Sequence, residues 1–327
     1  MKILLIPSFS SDELLLSTPI IRVLKNQMDV EIHLITKKDF KSLFQENEYI
    51  ANVYSLEEMS KANSSYDIVI DLQNDRQTRK IGKRLANRQY SFKHNKLHEW
   101  LFTRFRINRL QKTHLTDRYF ELLRPLNIKN DEQGLEYFMS DKDEVEKEWL
   151  PETHQNGYAV LAINSKTKTQ QLTTKRMIEL CDRINKPIIL IGDKIDAATA
   201  NEIETFFKRG TDREEKEIED LNKKAIIFNA CDKFNLNQMA SIIHRSNWVF
   251  THENMFMQIA AAFKKPVFSI WGSSSPHFGK YPYKTKFTIF ENNRLSCRPC
   301  SSTGFDQCPK DHFKCMSEVV FDFYLPD

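Results

Sequence analysis

Glycine is scarce in this chain, with 8 residues in 327, against a usual share of about 7%. That excludes a mechanism built on several glycine-rich phosphate loops. Long apolar runs are missing too: no stretch approaches the roughly 18 residues of a membrane span. The N-terminal run "MKILLIPSFSS" is broken at Pro7, too short for the core of a secretory signal, so a cytoplasmic protein is expected. Acids are missing from one segment. Between Arg76 and Lys112 there are twelve Lys or Arg and a single acid, Glu99, which the overall net charge of +4 conceals. Such a run is either a solvated helix face or a surface for an acidic substrate, an anionic membrane or nucleic acid. The aromatics inside it, Tyr90, Phe92, Trp100, Phe102 and Phe105, fall at helical spacing. They read as core rather than as base-stacking platforms, and no nucleic-acid partner is expected.

What is present is ordinary for a soluble globular protein: 40% hydrophobic and 28% charged residues, in a chain long enough for two domains. "KILLIPSF" (2–9), "VEIHLITKK" (30–38) and "YDIVIDLQ" (66–73) read as strands, "LSTPIIRVLKNQ" (16–27) as an amphipathic helix, and 76–124 as mainly helical. A polar stretch at 141–158 with Pro151 and Gly157 sets the expected boundary between domains 1–150 and 151–327. The second half repeats the alternation, with strands at 158–164, 187–193, 225–230, 248–252 and 266–272. Helices are expected at 173–184, 235–246 and 254–263, with an acidic helical region at 196–223. Strands alternating with helices at this spacing indicate βαβ units and parallel sheets. Two doubly wound, Rossmann-like α/β halves then face a cleft, with ligand-bearing loops at the carboxyl ends of the strands. Those loops are 8–14, 73–79, 164–172, 192–196, 230–235 and 251–258.

Four of the six cysteines, Cys297, Cys300, Cys308 and Cys315, lie in "CRPCSSTGFDQCPKDHFKC" with C-x2-C-x7-C-x6-C spacing. In a reducing compartment disulfides are not expected. Two readings stand: a structural zinc on four thiolates, with His312 as a substitute ligand, or reduced thiols packing a loop. Cys181 and Cys231 fall in helix and strand-end patterns and read as core.

The segments "STPIIRVLK", "EIHLITKKDFKSLFQENEYI", "YDIVIDLQN" and "THLTDRYFELL", followed by "AAAFKKPVFSIWGSSSPHFGKYPY" and the cysteine segment, resemble glycosyltransferase family 9, the lipopolysaccharide heptosyltransferases, in the same order along essentially the whole chain. The resemblance implies a GT-B fold and an inverting, metal-independent transfer of a heptose-like sugar from an ADP-heptose-like nucleotide donor. The acceptor it implies is an acidic, lipid-linked oligosaccharide reached at the inner membrane surface. It places the acceptor and the catalytic base in the N-terminal domain and the nucleotide in the C-terminal one and implies no cofactor for catalysis, which leaves a structural zinc as one of the two readings of the cysteine segment.

The ligand-facing loops depart from that family's pattern. Its first loop reads Ser-x-Gly-Asp, with the Asp as base; counting back from Thr18-Pro19, this chain has Asp12 at the glycine and Glu13 at the aspartate. Glu13, with Asp12 beside it, is therefore the candidate base, set against a plainer reading in which either residue caps the helix that begins near Leu14. After "DLQN" an arginine position is occupied by Gln77, flanked by Arg76 and Arg79, which with Lys80 form the candidate acceptor site. A lysine expected after "YAVLAIN" is replaced within Gln170, Gln171, Leu172 and Thr173, leaving Lys166 and Lys168 to reach the donor. The Asp-Ser/Thr-Gly-x-x-His motif becomes Glu253, Asn254, Met255 and Gln258, and Asp232 stands at a further glycine position. Methionine for glycine opposes any left-handed turn there and weakens the anion grip of a helix N-terminus. The chain is then either a transferase with altered loops or a catalytically inactive family member acting as a binding or structural partner.

Overall fold

The computed structural model describes residues 1–61, 65–211 and 225–326. The first lobe opens with strand β1 (Lys2–Ile6), a 3-10 turn at Leu14–Ser17 and helix α1 (Thr18–Gln27). It continues through β2 (Glu31–Thr36), α2 (Ser42–Gln45), β3 (Asn52–Ser55), α3 (Leu56–Lys61), β4 (Tyr66–Asp71), α4 (Arg76–Leu85), β5 (Ala86–Ser91), α5 (Lys96–Phe105) and α6 (Leu115–Leu122). The second comprises β6 (Ala159–Ala162), α7 (Thr174–Ile184), β7 (Ile188–Ile191), α8 (Ala197–Thr211), β8 (Ile227–Asn229), α9 (Leu236–Arg245), β9 (Trp248–His252), α10 (Met255–Ala262), β10 (Val267–Trp271), β11 (Phe287–Glu291) and α11 (Lys314–Ser317). The helix expected over 196–223 is α8 as far as Thr211; its remainder lies outside the described residues.

Two sheets result, β3-β2-β1-β4-β5 and β11-β10-β9-β6-β7-β8, and every pairing in both is parallel. The central strands are near-continuous apolar runs because both faces are covered by helices; β6, β7 and β10 are buried throughout. The stretch 76–124 is not one helical region. The capping box of Asp75 and Thr78 starts α4, and the chain then turns into β5, "ANRQYS", an edge strand with no fully buried residue. Its polarity conceals it, since an edge strand has no need of an apolar face on both sides.

The lobes meet over a broad contact. Helix α10 is apolar except for Gln258 and mostly buried, as expected of a core helix, and it packs on the 3-10 turn Leu14–Ser17 of the first lobe. The loop from Phe278 to Tyr283, in the second lobe, is gripped by the start of α6. Leu115 N–H donates to Gly279 O at 2.8 Å, Arg118 to Phe278 O at 2.9 Å, and His114 Nε2 bonds Tyr281 O at 2.8 Å. The segment between the lobes reaches the second one early: Tyr137 bonds Asn237 at 2.6 Å and Val145 N–H donates to Ser241 at 2.9 Å.

Candidate active site

A cavity of about 400 Å³ opens between the lobes. Its walls come from the loop after β1 (Ser8, Phe9, Ser10, Glu13), the loop after β4 (Gln73, Asn74, Asp75), Lys37 after β2, and the segment 92–99. The second lobe adds Lys166, Phe278, Lys280, Ser302 and Thr303, and Arg118 of α6 completes it. These are the loops at the carboxyl ends of β1, β2, β4, β5 and β6, where a parallel sheet presents its ligands.

At its floor is a charge cluster that joins the lobes. Lys280 Nζ lies 2.6 Å from Glu13 Oε1 and 3.7 Å from Asp12 Oδ2. Lys166 Nζ lies 3.5 Å from Asp12 Oδ1 and donates to Ser10 Oγ at 3.0 Å, while Ser10 Oγ donates to Asp12. Burial opposes the charge of Lys280, but Glu13, Asp12 and Glu253 outweigh it and raise its pKa well above the ordinary lysine value. Burial likewise opposes the charge of Asp12, yet Lys280 and then Lys166 hold its pKa below the usual carboxylate range. Glu13 stands at the N-cap position of the 3-10 turn without making a side-chain capping bond. Its carboxylate is directed to Lys280 instead, so Glu13 does not cap this turn.

Beneath this floor, and not lining the cavity, sits the loop 251–258. Asn254 caps α10, its Oδ1 accepting from Met257 N–H at 3.3 Å, and its amide donates to Asn164 O and Oδ1 at 3.0 and 2.9 Å. His252 is buried with Nδ1–H donating to Asn164 O at 3.1 Å and Nε2 accepting from Leu172 N–H at 3.0 Å. Burial lowers its pKa to about 4, so it is a neutral staple between two loops. Glu253 Oε2 accepts from Gln170 Nε2 at 2.8 Å and from Ser274 Oγ, whereas its Oε1 is buried with no partner. Burial pushes the Glu253 pKa up to about 7, against the pull of Lys280. Gln258 is fully buried and donates to Lys280 O at 2.8 Å.

Several expected site residues are therefore placed otherwise than their sequence positions suggest. Gln170, Glu253, Asn254 and Gln258 are buried under the cleft rather than facing it, and Met255 packs on the apolar core. No described residue from Lys233 to Phe263 has a positive φ, and Asn254 is extended at φ −150°; the strain expected from methionine in a left-handed turn does not arise. At Asp232 the backbone does take that conformation, φ 60°, which aspartate tolerates better than most residues. Lys166 reaches the cavity, and Lys168 is exposed outside it. Arg76, Arg79 and Lys80 lie on the exposed face of α4, away from the cavity. Its cationic walls are instead Lys37, Lys96, Arg118, Lys166 and Lys280. Of these only Lys96 comes from the basic run. Lys280, a single lysine within "FGKYPY", carries no local signal of its role: it meets carboxylates more than 260 residues away in the chain.

The cysteine segment forms one rim. Cys297, Cys300, Cys308 and Cys315 are free thiols, with Cys297 Sγ 3.6 Å from His312 Nε2. Among the described residues, no group of three or more His, Cys, Asp or Glu converges as a metal-ligand set. Backbone bonds hold the segment: Cys300 N–H donates to Ser273 O at 2.8 Å, and Thr169 N–H to Phe305 O at 3.0 Å. Two glycines permit this close approach. A Cβ on Gly272 would lie 2.2 Å from Thr169 O, and one on Gly304 (φ +85°) 2.0 Å from Thr167 Oγ1. Cys181 and Cys231 are buried in the second lobe's core.

Residues 59–308 match the family model described as glycosyltransferase family 9 (heptosyltransferase). Solved structures with a similar fold include a family 9 glycosyltransferase from Veillonella parvula, at 18% identity and TM-score 0.66, covering 88% of this chain and 86% of that one. The E. coli ADP-heptose lipopolysaccharide heptosyltransferase II matches at 16% identity and TM-score 0.63, over 97% and 98%. E. coli heptosyltransferase WaaC with ADP matches at 15% and 0.62, over 88% and 93%. No curated protein sequence matches.

Proposed function

The chain belongs to glycosyltransferase family 9, the heptosyltransferases, and from that premise we propose that it transfers a heptose-like sugar, with inversion, from a nucleotide-sugar donor to an acidic acceptor held in the interlobe cavity. The observation that carries the reading is the Glu13 carboxylate, fixed at 2.6 Å by Lys280 on the floor of a cleft whose other charged walls are mainly lysine and arginine. In this mechanism an acceptor hydroxyl attacks the anomeric carbon, its proton passes to Glu13, and the bond from that carbon to the diphosphate oxygen breaks. A positioned base of this kind contributes about 10²- to 10⁴-fold. Lys166, beside Asp12 and Ser10, meets the charge of the departing diphosphate, while Lys37, Lys96 and Arg118 face the acceptor's anionic groups. The Nε of Arg118 is buried without a partner.

One observation favours a second reading, a non-catalytic family member that binds an acceptor or a related transferase. The resemblance places the donor diphosphate at loop 251–258, and in this chain the Glu253 carboxyl with Gln170 and Ser274 fills the space beside the first turn of α10. Calorimetric titration with ADP, UDP and GDP separates the two. Heat from at least one of them below millimolar concentration supports the transferase; no heat from any leaves the second reading.

A further inference from the structure

Helix α5 leaves an apolar stripe uncovered. Leu97, Trp100, Leu101, Arg104 and Phe105 fall at i, i+3, i+4, i+7 and i+8, one face of a helix. Leu97, Trp100 and Phe105 are 65%, 53% and 54% exposed, and Ile107, just past the helix end, is 46% exposed. Trp100 and Phe105 hold one another edge to face at 5.2 Å. The sequence places these two rings in the core; the structure buries only Phe102 of this helix, against His277 and Phe278 of the second lobe. The opposite edge of the same helix carries Lys96 and Glu99 into the cavity wall.

Charge decides what such a stripe meets. From Lys93 to Lys112 there are six Lys or Arg and one acid, and that acid, Glu99, faces the cavity. Arg104 lies on the stripe, and Lys93, Arg109 and Lys112 are exposed beside it. A short helix with Trp, Phe and Leu on its outer face and cations around them matches the pattern of helices that lie in the plane of a lipid headgroup layer, where indole rings concentrate and anionic lipids attract flanking Lys and Arg. The helix is also anchored against tilting, because Arg106 at its C-terminal end (φ 64°) donates to Ser296 O at 3.0 Å and Cys297 O at 2.6 Å across the lobes.

We propose that the Leu97–Trp100–Phe105 face of α5 is a docking surface for an anionic phospholipid layer, seating the cavity mouth beside the membrane so that a lipid-linked acceptor enters past Lys96. This deepens the acceptor reading of the cleft and rests on it. No described helix is long and apolar enough to cross a membrane.

The test is flotation of the full chain with phosphatidylcholine vesicles, with and without about one-third phosphatidylglycerol. The expected result is partition onto the anionic vesicles, weakened at least tenfold by the triple variant Leu97→Ser, Trp100→Ser, Phe105→Ser, and also weakened by Arg104→Glu or by raised salt. Trp100→Phe keeps binding but removes most of the vesicle-induced blue shift in tryptophan emission. Equal partition of the triple variant and the parent chain overturns the proposal, as does failure of the parent chain to float. A parent dimer that the triple variant makes monomeric, without lipid binding, also overturns it and assigns the face to a second copy. Transfer to a soluble, deacylated acceptor reads the cleft separately: it survives in the triple variant when only the docking surface is lost and is absent from the parent chain when the transferase reading itself is wrong.

Discussion

Glu253→Gln gives a stability change whose sign reverses the usual expectation for loss of a buried charge. The Glu253 carboxyl is buried, with two hydrogen-bond donors on Oε2 and none on Oε1, and burial raises its pKa from 4.5 to about 7. A carboxyl that binds its proton more tightly when folded contributes its full stability below pH 4.5 and loses it as pH rises through 7. At about 1.4 kcal/mol per pKa unit the loss approaches ~3 kcal/mol by pH 8. Glutamine keeps an acceptor for Gln170 and Ser274 and has no charge to desolvate, and Lys280 keeps Glu13 at 2.6 Å. Urea denaturation of both proteins should find Glu253→Gln within about 1 kcal/mol of the parent at pH 5 and ahead by about 3 kcal/mol at pH 8. All other groups titrate in both proteins and cancel in the difference. A constant offset across that range, or a lead of the variant that shrinks as pH rises, refutes the assignment of a proton-holding carboxyl under the cleft.

Other expectations follow from the same contacts. Lys280→Met removes the shared cation of Asp12 and Glu13 and should destabilise the protein by about 3–5 kcal/mol at pH 7, with part of the loss regained near pH 4 where carboxyls protonate; equal losses at both pH values in denaturation experiments would contradict the ion cluster. Gly304→Ala drives a Cβ into Thr167 at a left-handed backbone position and should cost about 1–3 kcal/mol, with faster labelling of Cys297 and Cys300 by a thiol reagent as the loop lifts; unchanged labelling would show that the loop is not held at that point.

The alternation of strands and helices was legible because inner strands of a parallel sheet are covered on both faces and so mostly apolar, and β1, β2, β4, β6, β7, β9 and β10 are buried along almost their whole length. The strands that escaped notice, β3 ("NVYS"), β5 ("ANRQYS") and β11 ("FTIFE"), all lie at sheet edges, where one side is solvated and the pattern dissolves. Glu13 could be placed by its offset from Thr18-Pro19. The burial of Gln170, Glu253 and Gln258 could not, because polar residues in a loop read as ligand-facing until their partners, each some 20 to 80 residues away, are known. The same limit applies to α5, since a helical stripe of Leu, Trp and Phe has one spacing whether it faces the core or the solvent.

The central claim is that Glu13 takes the acceptor's proton in the interlobe cleft. Release of nucleoside diphosphate from ADP-, UDP- and GDP-linked sugars, with a phosphorylated oligosaccharide acceptor, measures it most directly in the parent chain and in Glu13→Gln. The account predicts turnover with at least one donor and a fall of about 10²- to 10⁴-fold in kcat for the variant with its melting transition retained. Equal turnover by both proteins, or none from the parent with any of the three donors, contradicts it.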